Sequence, residues 1–386
     1  MSTDTDIAIV GGGPVGAALA LVLSSSALRI TVLEARAESK REPRPIAISH
    51  GSRLLLERLG VWRTMSSAAA PTPINHIHIS QRGGFGRVAI SATDAGVPAL
   101  GYVVDYNDIF LVLFEAIRTI CNDFRAGARA TALHREGDLQ RIDYTCDGNA
   151  ASLRARLVVI ADGSDMDCAG LAPPKTIDYE QHALTARVGT TLPHNHVAYE
   201  RFAREGPLAL LPFGNEMSLV WTLPTARATE LRQADSDTFL AALRETFGNR
   251  LGDFTRLEQR TSFPLTLRYT THASAPGVVT IGNASQTLHP VAGQGFNLGL
   301  RDAWELAQRL VSISPQELND QSLRDYCASR RIDRGASVAT THGLVRLFSN
   351  DFLPMHFARG VAMTMLGSVA PARNFLARRM IFGARG

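Results

Sequence analysis

The fold is decided by residues 7–23, which read Ile-Ala-Ile-Val-Gly-Gly-Gly-Pro-Val-Gly-Ala-Ala-Leu-Ala-Leu-Val-Leu. Residues 7–10 form a short apolar run of the kind that predicts a buried strand. Residues 15–23 are rich in Ala and Leu and predict a helix, and the glycines lie between the two. The stretch therefore predicts a strand, a tight loop and a helix start.

This loop has the residues that a bound nucleotide requires. Gly11 permits the tight turn, Gly13 lets backbone N–H groups approach a pyrophosphate, and Gly16 lets helix and strand pack closely. Pro14 and Val15 lie at the start of the helix, where unpaired N–H groups and a partial positive charge favour phosphate. These residues form the first predicted nucleotide-binding segment.

A second predicted strand, residues 29–33, ends at Glu34, about 20 residues beyond Gly11. At this spacing a carboxylate accepts hydrogen bonds from the adenosine ribose hydroxyls. The first loop alone does not distinguish FAD from NAD, because both contain ADP.

A second glycine-rich stretch, residues 282–302, reads Gly-Asn-Ala-Ser-Gln-Thr-Leu-His-Pro-Val-Ala-Gly-Gln-Gly-Phe-Asn-Leu-Gly-Leu-Arg-Asp. It follows a predicted strand at 278–281 and leads into a predicted helix at 293–310. The first loop already accounts for the ADP moiety, so a second polar loop with its own helix start suits the ribityl chain and pyrimidine edge of a flavin. NAD would need no such second loop, and the sequence therefore predicts FAD.

Four motifs together resemble the FAD-dependent aromatic hydroxylases, and in particular the ubiquinone-biosynthesis branch that acts on polyprenylated phenols. They are residues 11–16, 44–49 (Arg-Pro-Ile-Ala-Ile-Ser), 161–163 (Ala-Asp-Gly) and 282–302, and the similarity runs nearly end to end. The resemblance implies an α/β fold: a Rossmann-type FAD-binding domain, an inserted mixed β-sheet substrate domain and a helical C-terminus. The implied boundaries are 1–175 with 273–340 for the first, 176–272 for the second and 341–386 for the third.

The resemblance also implies which residues contact the cofactor. Glu34 would meet the ribose, and Arg44 the pyrophosphate, unless Arg44 is a surface residue of the charged run that begins at Arg36. Asn283 would lie by the ribityl chain. The remaining implied cofactor-binding residues are Arg36, Asp162, Gly163, Gly293, Gly295, Phe296 and Asn297.

One departure from the wider family concerns the reductant. The family usually has Ser and Arg after the Asp162–Gly163 pair, whereas Met166 and Ala169 stand at those places in this chain. No cation is then present there to meet a pyridine-nucleotide phosphate. The docking of NAD(P)H, the implied reductant, is left open by the sequence.

The implied reaction reduces FAD with NAD(P)H and then uses O₂ to form a C4a-hydroperoxyflavin that hydroxylates an electron-rich phenol ring. His289 and Pro290 are the candidate catalytic residues. His289 would accept or orient a proton beside the flavin. The alternative is a loop histidine that bonds only the backbone ahead of Pro290.

Composition excludes several other classes of protein. Hydrophobic residues make up 45% and charged residues 20% of the 386 residues, and the formal net charge is +4. Basic residues are scattered rather than clustered with aromatics, so nucleic acid is not an expected partner. The four cysteines are dispersed, which indicates reduced thiols in a cytoplasmic protein.

Two histidine pairs could suggest a metal site, but we expect none. His76 and His78, and likewise His194 and His196, would each share one face of a predicted strand. Neither pair has a further ligand at matching spacing.

Strand-like runs at 183–188, 208–213 and 217–223 predict a sheet laid over the flavin. Its apolar residues would either contact a prenylated aromatic substrate or simply pack the core. They are Leu210, Phe213, Trp221, Phe263 and Leu265.

The C-terminal segment, residues 344–382, interleaves apolar residues with arginines, and Pro354 and Pro371 are expected to divide it into helices. It would form either a helical cap on the flavin domain or a peripheral contact with the inner face of a membrane. The resemblance also implies other ubiquinone-biosynthesis proteins as partners.

Two alternative functions fit the same cofactor loops. One is a flavin-dependent dehydrogenase or reductase of prenyl lipids, which would not consume O₂ in proportion to hydroxylated product. The other is a non-catalytic flavin-bound scaffold of a biosynthetic complex, whose flavin NAD(P)H would not bleach.

Overall fold

The computed structural model describes residues 3–37, 44–162, 171–288, 293–318, 320–348 and 353–383. In chain order the strands are β1 (Thr5–Val10), β2 (Ile30–Glu34), β3 (Pro45–Ser49), β4 (Thr72–Ile74), β5 (His76–Gln81), β6 (Arg87–Ser91), β7 (Gly101–Asp105), β8 (Asp123–Ala126), β9 (Arg129–Glu136), β10 (Leu139–Cys146), β11 (Asn149–Ile160), β12 (Lys175–Thr190), β13 (Val197–Ala203), β14 (Gly206–Phe213), β15 (Glu216–Pro224), β16 (Phe254–Tyr269), β17 (Ser274–Ala275), β18 (Val278–Thr280) and β19 (Gln286–Thr287).

The helices are distributed around these strands. In chain order they are α1 (Pro14–Leu23), α2 (His50–Arg58), α3 (Val61–Ala68), α4 (Ala92–Ala95), α5 (Tyr106–Ile120), α6 (Thr225–Gln233), α7 (Ser236–Phe247), α8 (Gln294–Leu310), α9 (Asp320–Phe348), α10 (Leu353–Ser368) and α11 (Ala370–Phe382).

The first sheet has a parallel centre, in the order β18-β11-β1-β2-β8. Registers pair Val10 with Ile160 and with Leu33, and Ile160 with Thr280, so the strands end at one level. Glu34 ends β2, and the predicted functional segments at Gly11, Asp162 and Asn283 follow the ends of the neighbouring strands. Because parallel strands end at the same edge, the topology brings four distant segments together.

Strand β1 is buried along its whole length, because each of its faces packs on a different hydrophobic core. Ile7 and Ile9 face the core that also contains α1 and α8. Ala8 and Val10 face a second core beneath the β9–β11 meander. A strand covered on both faces reads as a continuous apolar run, which explains the absence of polar alternation in this strand.

The second sheet runs in the order β19-β16-β12-β15-β14-β13-β5-β6. Its pairs are antiparallel apart from the β13–β5 pair, so it is a mixed sheet. The strand-like runs at 183–188, 208–213 and 217–223 lie in β12, β14 and β15, as the sequence predicts. Strands β5, β6 and β19 come from outside residues 176–272 and join this sheet by hydrogen bonding.

The second sheet has its own core, shared with helices α6 and α7. Leu210 and Trp221, whose role the sequence left open, are 0% and 1% exposed and pack in this core. Phe263, by contrast, is 44% exposed. Core packing thus explains the first two residues but not Phe263.

The prediction that His194 and His196 share a strand face is wrong. Strand β13 begins at Val197, and both Asn195 and His196 have positive φ angles, 50° and 57°. Alternating histidines imitate a strand pattern, but the backbone here turns through the left-handed region. His76 and His78 do lie on a strand, β5. Within the described ranges, no group of three or more His, Cys, Asp or Glu residues is placed to hold a metal.

Helices α10 and α11 begin close to Pro354 and Pro371, so the predicted division of the C-terminal segment is confirmed. The last strand of the described ranges, β19, lies well before this segment. None of the helices in the described part of the chain is long and apolar enough to span a membrane.

Helix α9 is joined to helix α8 by a buried ion network. Arg330 is 1% exposed, and its Nε donates to Asp302 Oδ1 at 2.8 Å. Its Nη1 lies 2.9 Å from Glu305 and 2.8 Å from Asp333. Asp302 also accepts hydrogen bonds from Gly282 N–H and Gln286 Nε2, so the network reaches the second glycine-rich loop.

Arg330→Leu is expected to lower the free energy of unfolding by about 3–5 kcal/mol, because removing one partner leaves Asp302 buried and uncompensated. Urea unfolding measures the change. Arg324→Leu, on the same helix but exposed, is the matched control and is expected to change stability by less than about 0.5 kcal/mol. Equal effects of the two substitutions would contradict the network's role.

Candidate functional site

The first glycine-rich loop is held in a conformation that other residues could not adopt. Gly11 has φ +104°, and a Cβ added to it would lie 2.6 Å from Asp162 Cβ. A Cβ on Gly16 would lie 1.9 Å from the Gly11 carbonyl oxygen. The loop is thus folded back against its own helix and against the end of β11, as the glycine roles in the sequence require.

Helix α1 presents a free N-terminus at this loop. Its N-cap residue is Gly13, which has no side chain to cap the helix, and its first turn contains no acid. Pro14, at the first helical position, has no N–H to satisfy. The backbone donors of the first turn are therefore available to a phosphate.

Glu34 lies directly beneath this loop. It is 3% exposed, and its Oε2 accepts a hydrogen bond from the Gly12 N–H at 2.7 Å. Its Oε1 accepts from the Arg36 backbone N–H at 2.9 Å and from Arg36 Nε at 2.7 Å. The carboxylate is fixed between the loop and Arg36, at the end of the strand where a ribose is expected.

The second glycine-rich loop contacts the first helix. Gly282 has φ +59°, and a Cβ there would lie 3.1 Å from Val15 Cγ1. A Cβ on Gly299 of α8 would lie 2.9 Å from Val15 Cγ2 and 3.3 Å from the Gly282 Cα. Val15 therefore packs against both Gly282 and Gly299, which brings the two loops into one site.

The start of helix α8 resembles that of α1. Gly293 is its N-cap with φ +59°, no side chain of the described residues caps the helix, and its first turn contains no acid. A Cβ added at Gly295 would meet open space. Asn283 is exposed in the short 3₁₀ turn at Gly282–Ala284. The start of α8 thus combines backbone donors with an open approach at Gly295, and Asn283 is exposed at the other end of the same loop.

Asn297, predicted to line the flavin, bonds to the protein through its whole amide. Its Oδ1 accepts from the Ser49 N–H at 2.8 Å and from Ser52 Oγ at 2.7 Å. Its Nδ2 donates to the carbonyl oxygens of Ala47 at 3.2 Å and Gly293 at 2.8 Å. This buried amide ties the start of α8 to β3 and α2.

A cluster of aromatic rings and arginines lies at the mouth of the site. The guanidinium of Arg44 is 6.0 Å from the Tyr106 ring and 5.8 Å from the Phe263 ring, which belongs to the second sheet. Tyr106 contacts Phe296 of α8 at 6.1 Å. Burial raises the pKa of Tyr106, although the positive charges of Arg36 and Arg44 oppose the shift.

Tyr106 was not predicted as a site residue. Its sequence signal is weak: Asp105, the N-cap of α5, precedes it and shows only that a helix starts there. The contact with Arg44 depends on the pairing of β3 with β7, which a local pattern does not reveal.

Several predicted residues lie outside the described part of the chain. They are Gly163, Met166, Ala169, His289 and Pro290.

A small apolar cavity of about 60 Å³ adjoins the start of α8. Asn297 and Gln294 form part of its wall, and the side chains of Ile77 and Ile90 come from the second sheet. Helix α11 closes it with Met380 and its neighbours. The cavity thus lies between the second glycine-rich loop, the second sheet and the C-terminal helix.

Comparison with known proteins agrees with this geometry. A family model described as an FAD binding domain matches residues 4–340. The chain belongs to the FAD-dependent monooxygenase family. The sequence-based recognition and fold class are therefore confirmed.

The relatives include enzymes named for ubiquinone. The ubiquinone hydroxylase UbiL of Rhodospirillum rubrum is 34% identical over 97% of this chain and 88% of its own length. The 3-demethoxyubiquinol 3-hydroxylase of Escherichia coli is 32% identical over 93% of this chain and 94% of its own. Among solved structures, p-nitrophenol 4-monooxygenase of Pseudomonas putida has a TM-score of 0.81 at 17% identity, with 100% of both chains covered, which shows a shared fold.

The residues present fit FAD. Two uncapped helix starts without acids suit a pyrophosphate and the electron-rich edge of a flavin. The open space at Gly295 and the buried carboxylate of Glu34 suit a flat ring and a ribose respectively.

Gly16→Ala is expected to abolish or strongly weaken FAD binding, because the added Cβ would lie 1.9 Å from the Gly11 carbonyl oxygen and force the loop open. Overpacking of this kind costs about 1–3 kcal/mol, or roughly fivefold to 150-fold in affinity if it acts on the loop. Flavin absorbance per protein after purification measures occupancy.

Gly335→Ala is the matched control, because a Cβ at this position in helix α9 meets open space. It is expected to retain full flavin and to gain up to about 1 kcal/mol of stability. Full flavin occupancy in Gly16→Ala would contradict the tight-loop account.

Proposed function

We propose that this FAD-dependent monooxygenase hydroxylates the aromatic ring of a polyprenylated phenol in ubiquinone biosynthesis, with NAD(P)H as reductant and O₂ as the source of the hydroxyl oxygen. The observation that carries the proposal is the near full-length similarity to enzymes named as ubiquinone hydroxylases, in a chain whose two loops form one site.

The roles of the protein follow from the two loops. The first loop and Glu34 would hold the ADP end of FAD, and the start of α8 with Asn283 would hold the ribityl chain and ring. When bound, FAD supplies the redox and oxygen chemistry. Asn297 would act as a positioning residue, because it fixes the start of α8 to β3 rather than facing outward. His289 and Pro290 stay sequence-based candidates for proton transfer.

The apolar cavity supports a prenylated substrate. Its isoleucines and Met380 form an apolar wall that would widen from its volume of about 60 Å³ to admit the first prenyl unit, while the phenol ring would lie toward the start of α8. Excluding water there also limits the wasteful release of peroxide. Met380 is flexible and can adjust to an isoprenoid chain.

The two sheets would have different roles in the site. The first sheet would hold the cofactor, and the second, with Phe263 near Arg44, would cover the mouth of the site. We further propose a peripheral contact between the C-terminal helices and a membrane, where a polyprenylated substrate is dissolved. Association with other ubiquinone-biosynthesis proteins remains part of the proposal.

The decisive experiment is to purify the protein, identify its flavin, and follow NAD(P)H oxidation, O₂ uptake and product mass with a short-chain prenylphenol. The proposal expects a product heavier by one oxygen atom, with O₂ consumed in proportion to it. Substrate turnover without O₂ uptake would favour a dehydrogenase or reductase instead. Flavin that NAD(P)H fails to bleach, even with substrate present, would favour a scaffold.

Met380→Trp is expected to raise KM for the prenylphenol about tenfold or more, because the larger ring fills the cavity that receives the prenyl chain. Flavin content should be unchanged. Steady-state kinetics with substrates of increasing prenyl length measures the effect, which should grow with chain length.

Phe375→Trp is the matched control, because Phe375 lies on the same helix and is 65% exposed. Its KM should equal that of the unaltered enzyme. If Met380→Trp also left KM unchanged for every prenyl length, the cavity would not be the prenyl site.

A further inference from the structure

A second, larger cavity lies at the β5–β6 edge of the second sheet. Its volume is about 620 Å³, and its walls include Arg87, Arg201 and Arg250. Helix α10 contributes Thr364 and Ser368 to the wall. None of its lining residues belongs to either glycine-rich loop or to the apolar cavity, so the flavin site does not account for it.

The cavity is positively charged, and no acid among the described residues neutralises it. Its lining includes no Asp or Glu, and none of its three arginines is ion-paired with a residue of the described ranges. Arg201 is oriented by hydrogen bonds from Nε to the Thr246 carbonyl oxygen at 2.9 Å and from Nη1 to Ser80 Oγ at 3.4 Å.

The arginines repel one another. Burial lowers the pKa of Arg201, and the charges of Arg250 and Arg82 lower it further. Burial also lowers the pKa of His78 in the cavity wall, with Arg250 adding to the effect. A bound anion would relieve this repulsion, so the cavity chemically favours a phosphate or another compact anion.

The wall formed by helix α10 is built by close backbone contacts. A Cβ on Gly86 would lie 2.3 Å from the Gly360 carbonyl oxygen, and a Cβ on Gly367 would lie 2.6 Å from the Arg87 carbonyl oxygen. The β5–β6 loop is therefore packed directly on α10. This contact fixes Arg87 beside the helix.

Exposed apolar side chains line the surface next to this cavity. Phe357 is 63% exposed, Met365 64%, Phe85 46% and Val361 37%. Phe85, from the β5–β6 loop, contacts the Phe357 ring at a centroid distance of 5.2 Å. We call Phe85, Phe357, Val361 and Met365 the apolar row. Large apolar groups this exposed, beside a cationic cavity, mark an interaction surface.

We propose that the cavity binds the phosphate headgroup of an anionic lipid while the apolar row enters the acyl region of the same bilayer. The combination favours a lipid over a free phosphate compound, because a free phosphate would leave the apolar row unused. An acidic protein surface would supply the charge but not acyl chains for the row. Amphipathic surfaces bind membranes through this pairing of apolar burial with electrostatic attraction.

Membrane docking depends on the proposed function only for its biological role, which would be to bring the enzyme to a substrate dissolved in the bilayer. Helix α10, which bears Phe357, Val361 and Met365 of the row, is followed directly by α11, which closes the apolar cavity with Met380. A bilayer bound at α10 would therefore lie close to the cavity that we assign to the prenyl chain. The substrate could enter from the lipid phase.

Flotation with vesicles of phosphatidylcholine, with and without phosphatidylglycerol, tests the proposal on the flavin-loaded protein. We expect binding that requires phosphatidylglycerol. Arg87→Gln and Arg250→Gln should each weaken it about fivefold. Phe357→Ser and Met365→Ser should each weaken it roughly tenfold. Arg63→Gln, an exposed arginine on α3, is the charge-matched control and should bind as the unaltered protein does.

Two outcomes would overturn the proposal. One is the absence of vesicle binding, or vesicle binding that neither Arg87→Gln nor Arg250→Gln weakens. The other is binding of glycerol phosphate, measured by calorimetry, that equals vesicle binding in strength and does not depend on Phe357 or Met365. That result would assign the cavity to a free phosphate compound. Flavin content and hydroxylation of a detergent-dissolved phenol are read separately, so failure of docking is distinguishable from failure of the enzyme.

Discussion

The structure depends on the close approach of helices α1 and α8. Val15 packs into the space left by two absent side chains, at Gly282 and Gly299, so that the second glycine-rich loop lies directly on the helix that begins at the first. Any side chain at Gly299 would push these helices apart. In the proposed site both helix starts would contribute donors to one cofactor, so a separation of about 1 Å would divide the site into two incomplete halves.

The first sheet positions the chain segments that meet where α1 and α8 approach each other. Parallel pairing sets the ends of β1, β2, β11 and β18 at one level, so the chain returns to the same edge each time it crosses the sheet. The buried ion pair between Asp302 and Arg330 then holds α8 against α9, and the Asn297 amide holds its start against β3. Helix α8 is thus held near its start and near its middle. The second sheet and the C-terminal helices close the open side, where the apolar cavity lies.

The sequence predicted the parts of the site that have a local pattern. Residues 7–34 carry a strand, a glycine turn, a helix and an acid at set spacing, and the structure contains each. It could not reveal Tyr106 or the internal bonding of Asn297, because both depend on contacts between distant strands and helices. The alternation of histidines predicted a strand at His194 and His196, and this prediction is wrong because the backbone there turns through the left-handed region. The sequence did not reveal the cavity lined by Arg87, Arg201 and Arg250, because β5, β13 and α10 meet only in the folded chain.

The central claim is that two loops distant in sequence hold one flavin. The most direct test is the FAD dissociation constant of Glu34→Ala, Asn283→Ala and the double variant, measured by fluorescence after reconstitution of the apoprotein. Each single change should weaken FAD binding, by about tenfold or more for the buried carboxylate and by about twofold to tenfold for the exposed amide, with Asn249→Ala as an unaffected control. Full FAD affinity in both single variants would contradict the two-loop site.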